Sequence, residues 1–340
     1  MKSNHITTSC SRTSVNRIAV TMGDPGSIGP EIVLKALQRV QASGADIRYQ
    51  VYCHRATMLA VASELGFDNL LHDDRIELIE PAGVESLGDL ALADMRKPNK
   101  RGGYISMRCV ETAIDACLKK DDAPSGVVTA PISKTAWHMA GFESHPGHTE
   151  LLAEKCNAHD VRMGFVSPKL RVVLETIHVP LRDVPDMLRT DHIVRTIERA
   201  AQLCIDLGIS SPRVAVAGLN PHAGEDGMMG AEDIAMIAPA VKQARESGID
   251  ASGPHPGDTV FGRAFNGGFD VVVAMYHDQG LIPVKLLGWE NAVNVTLGLP
   301  IVRTSPDHGT AFDIAGRGKA NESSMLAAID LAIQLAHVKG

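Results

Sequence analysis

The stretch FDVVVAMYHDQGLIPVK, residues 269–285, contains a short apolar run at 271–275 and then turns polar at once. An apolar run of this length that is rich in β-branched residues predicts a strand buried on both faces. Tyr276-His277-Asp278-Gln279-Gly280 follows, and residues just past the carboxyl ends of strands form the ligand crevice of open α/β sheets. The stretch therefore indicates an α/β fold with a functional site at this strand end. A polar strand-to-helix turn, in which Gly280 releases the chain, explains it equally well.

Two other stretches have the same form. Residues 170–182 read LRVVLETIHVPLR and residues 213–225 read RVAVAGLNPHAGE, so His178 and His222 also follow strand-like runs. One histidine at a strand end is more often structural. Three in the same context favour a shared metal site of His178, His222 and His277, because imidazole is the commonest protein ligand for mid-row divalent metals. Three histidines also leave coordination positions open, as a catalytic metal requires.

The composition of the whole chain excludes several classes of protein. Its 340 residues are 44% hydrophobic and 21% charged, which is an ordinary composition for a globular protein with a large core. The formal net charge of −7 argues against nucleic acid as a general partner. No apolar run approaches the roughly 20 residues of a membrane span.

The six cysteines form no CxxC pair, which predicts free thiols in a reducing cytoplasm. Residues 1–16 are Ser/Thr-rich without an apolar centre, so we interpret them as a disordered tail and not as a secretory signal.

Strand-like and helix-like segments alternate along the chain, which predicts the α/β class. A Gly-rich turn, GDPGSIGPE at 23–31, joins the first predicted strand to the first predicted helix. This context suits a phosphate group, but there is no GxGxxG and no Walker lysine, and a tight turn is as good an explanation. Residues 163–166 and 170–177 predict a hairpin, residues 231–247 a helix, and residues 253–258 a loop.

Cationic and hydrogen-bonding side chains are expected on the same side of the crevice. Lys285 follows the central strand, and Asn294 and Arg303 lie on short predicted strands. His148-Thr149 opens a predicted helix, whose free N–H groups suit an anion; a plain Thr N-cap is the alternative. Together these residues favour a small substrate with a phosphate or a carboxylate. With a metal, the chemistry is either hydrolysis or the oxidation of an alcohol, with hydride leaving to a nicotinamide.

Long segments of the chain match a known family in order and spacing from about residue 17 to the end. On these segments the chain closely resembles the 4-hydroxythreonine-4-phosphate dehydrogenase family: GDPGSIGPE, GHTELL, TIHVPLRD, LNPHAGE, AMYHDQG, PVKLLG, NVTLGLP and RTSPDHGTAFDIAGRGKA. The resemblance implies a fold similar to isocitrate and isopropylmalate dehydrogenases, with two α/β lobes, a cleft between them, and a homodimer. We expect residues 17–139 plus 305–340 to form the cofactor-side lobe and residues 140–304 to form the lobe with the metal, substrate and dimer contacts.

The resemblance also implies an activity and a role for individual residues. The activity is the oxidation of a secondary hydroxyl with NAD or NADP and one divalent metal (Zn, Mg, Co or Mn), followed by decarboxylation of the 3-keto acid. The implied metal ligands are His178, His222 and His277, in a dimeric site where one of them can come from the partner subunit. The implied substrate contacts are His148, Thr149, Lys285, Asn294 and Arg303. The loop that resembles the adenine-side cofactor loop contains His308, Gly309, Ala311 and Asn321. Asp278 or Lys285 is expected to take or relay the proton, and Asp258 is a further candidate.

Two departures from the family pattern bear on these expectations. Ser27 stands where the family turn usually has Gly, and a positive φ at that position would strain a serine. KLLGW at 285–289 and HPGHTELL at 145–152 are more similar to the paralogous branch that oxidises 4-phospho-D-threonate or 4-phospho-D-erythronate. Another branch oxidises cis-dihydrodiols of aromatic acids such as terephthalate, but the phosphate-site residues of this chain favour a phosphorylated substrate. A three-His metal hydrolase and a non-catalytic binding module are the remaining alternatives.

Overall fold

The computed structural model describes residues 17–44, 46–87, 96–288 and 291–339. The predicted tail at 1–16 and the Trp289 of the KLLGW segment lie outside these residues. Within them the α/β class is confirmed, because strands alternate with helices and join into one large mixed sheet. None of the helices in these ranges is long and apolar enough to cross a membrane.

The sheet has eleven strands in the order β3-β2-β1-β4-β11-β10-β5-β6-β9-β7-β8. Their bounds are β1 Arg17–Thr21, β2 Arg48–Tyr52, β3 Ile76–Ile79, β4 Gly126–Thr129, β5 Arg162–Val166, β6 Arg171–Leu174, β7 Val214–Ala217, β8 Ala251–His255, β9 Val271–Ala274, β10 Val293–Leu297 and β11 Val302–Pro306.

Helices cover both faces of this sheet. Their bounds are α1 Gly29–Ser43, α2 Arg55–Leu65, α3 Lys100–Cys117, α4 Lys134–Met139, α5 His148–Lys155, α6 Val184–Met187, α7 Thr190–Asp206, α8 Ala238–Glu246, α9 Gly257–Phe265, α10 His277–Gly288 and α11 Ser323–Lys339. Short 3-10 segments lie at Asp68–His72, Glu85–Leu87 and Leu181–Asp183, and a π-helical segment lies at Asp233–Ile237.

The direction of the strands divides the sheet into two halves. β10 is antiparallel to both β11 and β5, and β5 is antiparallel to β6, whereas the outer strands on each side are parallel to their neighbours. One half therefore contains β1–β4 and β11, and the other contains β6–β9 running the opposite way. The predicted division into two lobes stays a prediction.

The strands of the second half are buried on both faces. In β9, Val271 and Val273 contact the core that α7 and α8 cover, while Val272 and Ala274 contact the cluster that α9 and α10 cover. A strand with helices on both sides needs apolar residues at every position, not at alternate ones. This is why the run at 271–275 reads as a continuous apolar segment.

Several sequence predictions can be judged against these elements. The hairpin is confirmed, since β5 and β6 pair antiparallel. The loop predicted at 253–258 is wrong: β8 ends at His255 and α9 begins at Gly257. Pro254 within the strand and Pro256 just after it obscured β8, but β8 is an edge strand, where proline is tolerated because one side needs no hydrogen bonds. The helix predicted at 231–247 is interrupted, because its first part is π-helical.

Gly280 has a different role from the one predicted. It does not release the chain but lies inside α10. A Cβ atom at this position would lie 2.6 Å from Leu174 Cδ2 and 2.8 Å from Val172 Cγ1. The missing side chain therefore allows α10, which begins with His277, to pack closely on β6.

The cysteines agree with the prediction of free thiols. All five in the described ranges are free, and four of these are buried. Cys10 lies in the tail outside these ranges.

Candidate functional site

The three predicted histidines follow neighbouring strands. His178 comes after β6, His277 after β9 and His222 after β7, and these strands lie side by side in that order. They are parallel, so their carboxyl ends lie at the same edge of the sheet. The strand order therefore brings together three segments that are far apart in the sequence.

Two of the three imidazole rings are in contact. The ring centroids of His178 and His277 are 5.5 Å apart. His222 lines an adjacent cavity of about 670 Å³, while His178 and His277 line one of about 240 Å³, and Tyr276 and Asp278 line both. The described residues contain no group of three His, Cys, Asp or Glu side chains arranged to hold one metal ion. The three-His site of a single chain thus stays a prediction.

The state of each imidazole fits a metal ligand. The Nδ1 atom of His277 is 2.7 Å from Asp278 Oδ1, and Nδ1 of His222 is 3.0 Å from Glu225 Oε2. A carboxylate on one ring nitrogen orients the ring and leaves Nε2 for a metal. Burial, with smaller effects of Lys134 and His277, lowers the pKa of His178, which favours the neutral form that binds metals. The donor set therefore suits a divalent metal such as zinc or cobalt.

His222 lies in an unusual turn. Six consecutive residues have positive φ, namely His222 (53°), Ala223 (56°), Gly224 (84°), Glu225 (44°), Asp226 (53°) and Gly227 (92°). For residues other than glycine the left-handed conformation costs roughly 1–2 kcal/mol each. Such a turn persists only where the surrounding structure holds it, and backbone of this kind clusters at functional sites.

Arg303 is the central cation of the predicted substrate side. Its side chain is only 4% exposed, and its guanidinium donates to the side-chain oxygens of Asn294, Thr296 and Thr129 at 3.2, 3.0 and 2.8 Å. Burial lowers the pKa of Arg303 to about 10. Among the residues that the structure describes, no carboxylate pairs with it, and Nε has no hydrogen-bond partner. A buried charge with only neutral partners is suited to an anionic ligand.

His148 lies beside this arginine at the start of α5. Burial lowers the pKa of His148 well below its usual value, and the charges of Arg303 and Lys134 lower it further. Its Nε2 atom is buried and has no partner within the described ranges, and its ring packs edge-on against Trp137 at 5.6 Å. The N-cap of α5 is Gly147 and not Thr149, so the alternative of a plain Thr N-cap is wrong. Thr149 lies in the first turn of α5 together with Glu150, and the free N–H groups of this turn favour an anion.

Two residues that the sequence reasoning missed belong to this site. A Cβ atom on Gly147 would lie 3.3 Å from Lys134 Cε, so Lys134 reaches the start of α5. Asp307 Oδ2 is 3.8 Å from Lys285 Nζ. Burial raises the pKa of Asp307, while Lys285 and His277 oppose that rise. A polar residue directly after a strand was the available signal for Asp307, which follows β11, whereas Lys134 begins α4 five residues after the end of β4.

The remaining candidates for proton transfer lie close by. Asp258 and Asp278 line the same cavity as His222. Asp278 also contacts His277, so a role as a proton carrier competes with its role in orienting that ring.

The loop at 305–321 packs on the Gly-rich turn. Ile28 N–H donates to Thr310 O at 3.0 Å, and Ala320 N–H donates to a carboxylate oxygen of Glu31 at 2.8 Å. Ala311 has a φ of 40°, and His308 Nε2 is buried without a partner in the described part of the chain. An unpaired nitrogen of this kind suits hydrogen bonding to a nucleotide. Gly309 and Asn321 lie on the same loop.

The strain expected at Ser27 is absent. Its φ is not among the positive values of this turn, where Gly23 alone has φ of 73°. The Ser27 hydroxyl donates to Asp24 O at 2.7 Å and accepts from Gly29 N–H at 2.9 Å. Serine therefore stabilises the turn, and the expectation of strain is wrong.

Comparison with known proteins identifies relatives over almost the whole chain. The family model described as "Pyridoxal phosphate biosynthetic protein PdxA" matches residues 23–332. A D-threonate 4-phosphate dehydrogenase of Pectobacterium atrosepticum is 43% identical, over 94% of this chain and 99% of that protein. A 4-hydroxythreonine-4-phosphate dehydrogenase of Beijerinckia indica is 46% identical, over 94% of each.

Solved structures agree with these relatives. The 4-hydroxythreonine-4-phosphate dehydrogenase of Klebsiella pneumoniae superimposes with a TM-score of 0.81 and 40% identity, over 96% of this chain and 100% of that one. A terephthalate 1,2-cis-dihydrodiol dehydrogenase of Burkholderia xenovorans has a TM-score of 0.67 and 26% identity, over 94% and 98%. A β-decarboxylating dehydrogenase of Thermococcus kodakarensis, 14% identical with a TM-score of 0.50 over 94% and 83%, shares the fold.

Asp24, in the Gly-rich turn, makes stability depend on pH. Burial raises its pKa from 3.8 to about 6, so the native state holds its proton between these values while the unfolded chain loses it. The free energy of unfolding therefore falls as pH rises from about 4 to about 6, by about 3 kcal/mol. We expect Asp24→Asn to unfold at higher urea than the wild type at pH 8, with little difference at pH 4.

Urea denaturation at both pH values tests this expectation. Asn can still accept from Gly26 N–H, as Asp24 Oδ1 does at 2.9 Å. Asp121→Asn, at an exposed position after α3, is the matched control and should change little. If the free energies of unfolding of Asp24→Asn and the wild type differ by the same amount at pH 4 and at pH 8, the raised pKa of Asp24 is contradicted.

Proposed function

This chain belongs to the PdxA family of pyridoxal phosphate biosynthetic proteins, and from this premise we propose that it oxidises a small phosphorylated hydroxy acid with NAD or NADP. The substrate is 4-phosphooxy-L-threonine, 4-phospho-D-threonate or 4-phospho-D-erythronate. The product is a 3-keto acid, which then loses carbon dioxide. The observation that carries this proposal is the buried Arg303, which has no carboxylate partner in the described ranges and lies beside His148.

The phosphate side is built from fixed donors. Arg303 is held by hydrogen bonds to three side chains, so its guanidinium is oriented before a ligand arrives. The free N–H groups at the start of α5 and the charge of Lys134 add to the same positive region. Desolvated donors that need no reorganisation bind a phosphate or carboxylate more strongly than solvated ones.

His178, His222 and His277 would hold one divalent metal, Zn²⁺, Mg²⁺, Co²⁺ or Mn²⁺. A bound metal would polarise the hydroxyl oxygen that reacts and lower its pKa. The chain would contribute by lowering the pKa of His178 through partial burial, and by orienting the rings of His277 and His222 through Asp278 and Glu225.

The loop with His308, Gly309, Ala311 and Asn321 would bind the nucleotide, and NAD would accept the hydride. The loop is held against the Gly-rich turn by the backbone hydrogen bond from Ile28 to Thr310 and by the bond from Ala320 N–H to the Glu31 carboxylate. The unpaired Nε2 atom of His308 supports this role. The Gly-rich turn contacts this loop through Ile28. This contact would explain how a nucleotide site forms without a GxGxxG motif.

Lys285 is the group we favour for taking the hydroxyl proton. Its neighbour Asp307 is largely buried and lies 3.8 Å away. Asp278 and Asp258 are the alternatives, and both line the cavity next to His277. The hydroxyl proton passes to unprotonated Lys285 or to one of these carboxylates, and the hydride passes to NAD. The alcohol is thereby oxidised to a ketone.

Turnover with matched substrates tests the proposal. We expect growth of the reduced-nicotinamide absorbance with the purified protein, a divalent metal and one of the three phosphorylated acids, and its loss with a chelator. Faster turnover of the amino acid indicates vitamin B6 synthesis, and faster turnover of a sugar acid indicates catabolism. Product formation without nicotinamide would instead support a metal hydrolase. Turnover of a cis-dihydrodiol alone would support the branch represented by the Burkholderia xenovorans enzyme.

Substitution Arg303→Lys tests the phosphate side. Lysine keeps the charge but loses the planar fork that binds an anion through two hydrogen bonds. We expect KM for the phosphorylated substrate to rise about tenfold or more, with a smaller change in kcat. Arg199→Lys, at a half-exposed arginine paired with Asp160, is the control and should leave both constants unchanged. An unaltered KM in Arg303→Lys would exclude Arg303 from substrate binding.

We also propose a homodimer that covers the site. Large apolar side chains are exposed around the two histidine cavities: Leu286 is 79% exposed, Leu181 65% and Ile282 57%. A cluster of this kind marks an interaction surface. Sedimentation velocity should report a dimer, which Leu286→Lys weakens along with activity. Leu59→Lys, at an exposed position of α2 that lines neither cavity, should leave the dimer intact. A monomeric wild type would contradict the proposal.

A further inference from the structure

We propose that Gln279 and Asp233 are positioning residues that set His222 relative to His277. This inference rests on the proposed metal site, since it assigns these two residues to holding two of its ligands. Neither residue would touch the metal or the substrate. Their role follows from the hydrogen bonds that each makes across the ends of β7 and β9.

Gln279 bridges the two strand ends with both atoms of its side-chain amide. Its Oε1 accepts from Met275 N–H at 2.7 Å, and its Nε2 donates to Gly218 O at 2.7 Å. One partner is a donor and the other an acceptor, so this orientation of the amide is the only one that satisfies both. The bridge is tightly confined, because a Cβ atom on Gly257 would lie 3.1 Å from Nε2. Gln279 is two residues from His277, and Gly218 is four residues from His222.

Asp233 holds the other side of the same strand end. Its carboxylate is fully buried and accepts from Leu219 N–H at 2.8 Å and from Asn220 N–H at 3.2 Å. It also accepts from the Asn220 side-chain amide at 2.9 Å. Three donors from two consecutive residues satisfy this buried charge without a cation. The carboxylate belongs to the π-helical segment, and π-helical turns occur often at functional sites.

The turn at 222–226 is what these contacts support. Its residues all have positive φ. Even two consecutive residues other than glycine are disfavoured in this conformation. A Cβ atom on Gly218 would lie 2.7 Å from Asp233 Oδ1, and one on Gly224 would lie 3.2 Å from Asp233 Oδ2. The carboxylate therefore packs between Gly218, at the end of β7, and Gly224 of the turn. Without it, the turn is expected to relax toward right-handed backbone and move the His222 ring.

If Gln279 and Asp233 had a purely structural role, they would stabilise the loops without changing the positions of His222 and His277. The positions of the contacts favour the positioning role, because Gln279 reaches from the strand end before His277 to the strand end before His222. Residues behind metal ligands typically change metal affinity by about 10- to 100-fold when they are substituted. This effect can be measured apart from activity and apart from global stability.

The test uses Co²⁺ alone with the full-length protein. Gln279→Glu keeps the shape and the acceptor for Met275 but places an oxygen against Gly218 O. Asp233→Asn places an NH₂ group against backbone N–H donors. We expect each variant to weaken Co²⁺ binding, followed by its visible absorbance, by about 10- to 100-fold. Gln334→Glu, on α11 away from the site, is the matched control and should bind as the wild type does.

Hydrogen–deuterium exchange of the metal-free proteins gives a second measurement. We expect amides at 219–229 to exchange faster in Gln279→Glu and Asp233→Asn, with the rest of the sheet unchanged. Wild-type Co²⁺ affinity and unchanged exchange in both variants would overturn the inference while leaving the proposed function intact. Failure of the wild type to bind Co²⁺ would overturn the metal site, and the positioning role with it.

Discussion

The hydrogen-bonded contact between the ends of β6, β9 and β7 is the interaction on which the metal side of the site depends. Thr176 Oγ1 donates to Met275 O at 2.7 Å, and the Gln279 side chain continues the connection from Met275 to Gly218. Parallel strands alone align their ends only approximately, because the loops that follow are free to diverge. These side-chain bonds extend the order of the sheet beyond its last backbone pair, into the segments that carry the histidines.

The substrate side follows a different constraint, which is the cost of burying polar atoms. Buried side-chain atoms without a partner in the described ranges include those of Arg303, His148, His308 and Asp24. Native proteins leave few such atoms unpaired, since each costs free energy of folding. Unpaired atoms of this kind are consistent with groups that meet their partners on a ligand. Unpaired buried atoms lower the stability of the fold, but they provide donors that are already oriented for a ligand.

Sequence reasoning succeeded where a single segment carries the information. The apolar run at 271–275 predicted a strand buried on both faces, because helices on both sides leave no polar position in β9. It failed where the outcome depends on what packs nearby. Gly280 serves the contact of α10 with Leu174, and Ser27 forms two hydrogen bonds within its turn. The strand β8 was missed because its Pro254 is acceptable only at the edge of the sheet.

The sequence by itself determined the α/β class, the strands that precede His178, His222 and His277, and the set of cationic residues available to an anion. Only the tertiary structure decided that β6, β9 and β7 are neighbours, that Asp307 lies beside Lys285, and that Asp233 holds the turn of His222. The physical reason is that hydrophobic periodicity records how each segment is buried. It carries no record of which other segment buries it, and the contacts of Arg303 with Thr129 or of Gln279 with Gly218 join residues 174 and 61 positions apart.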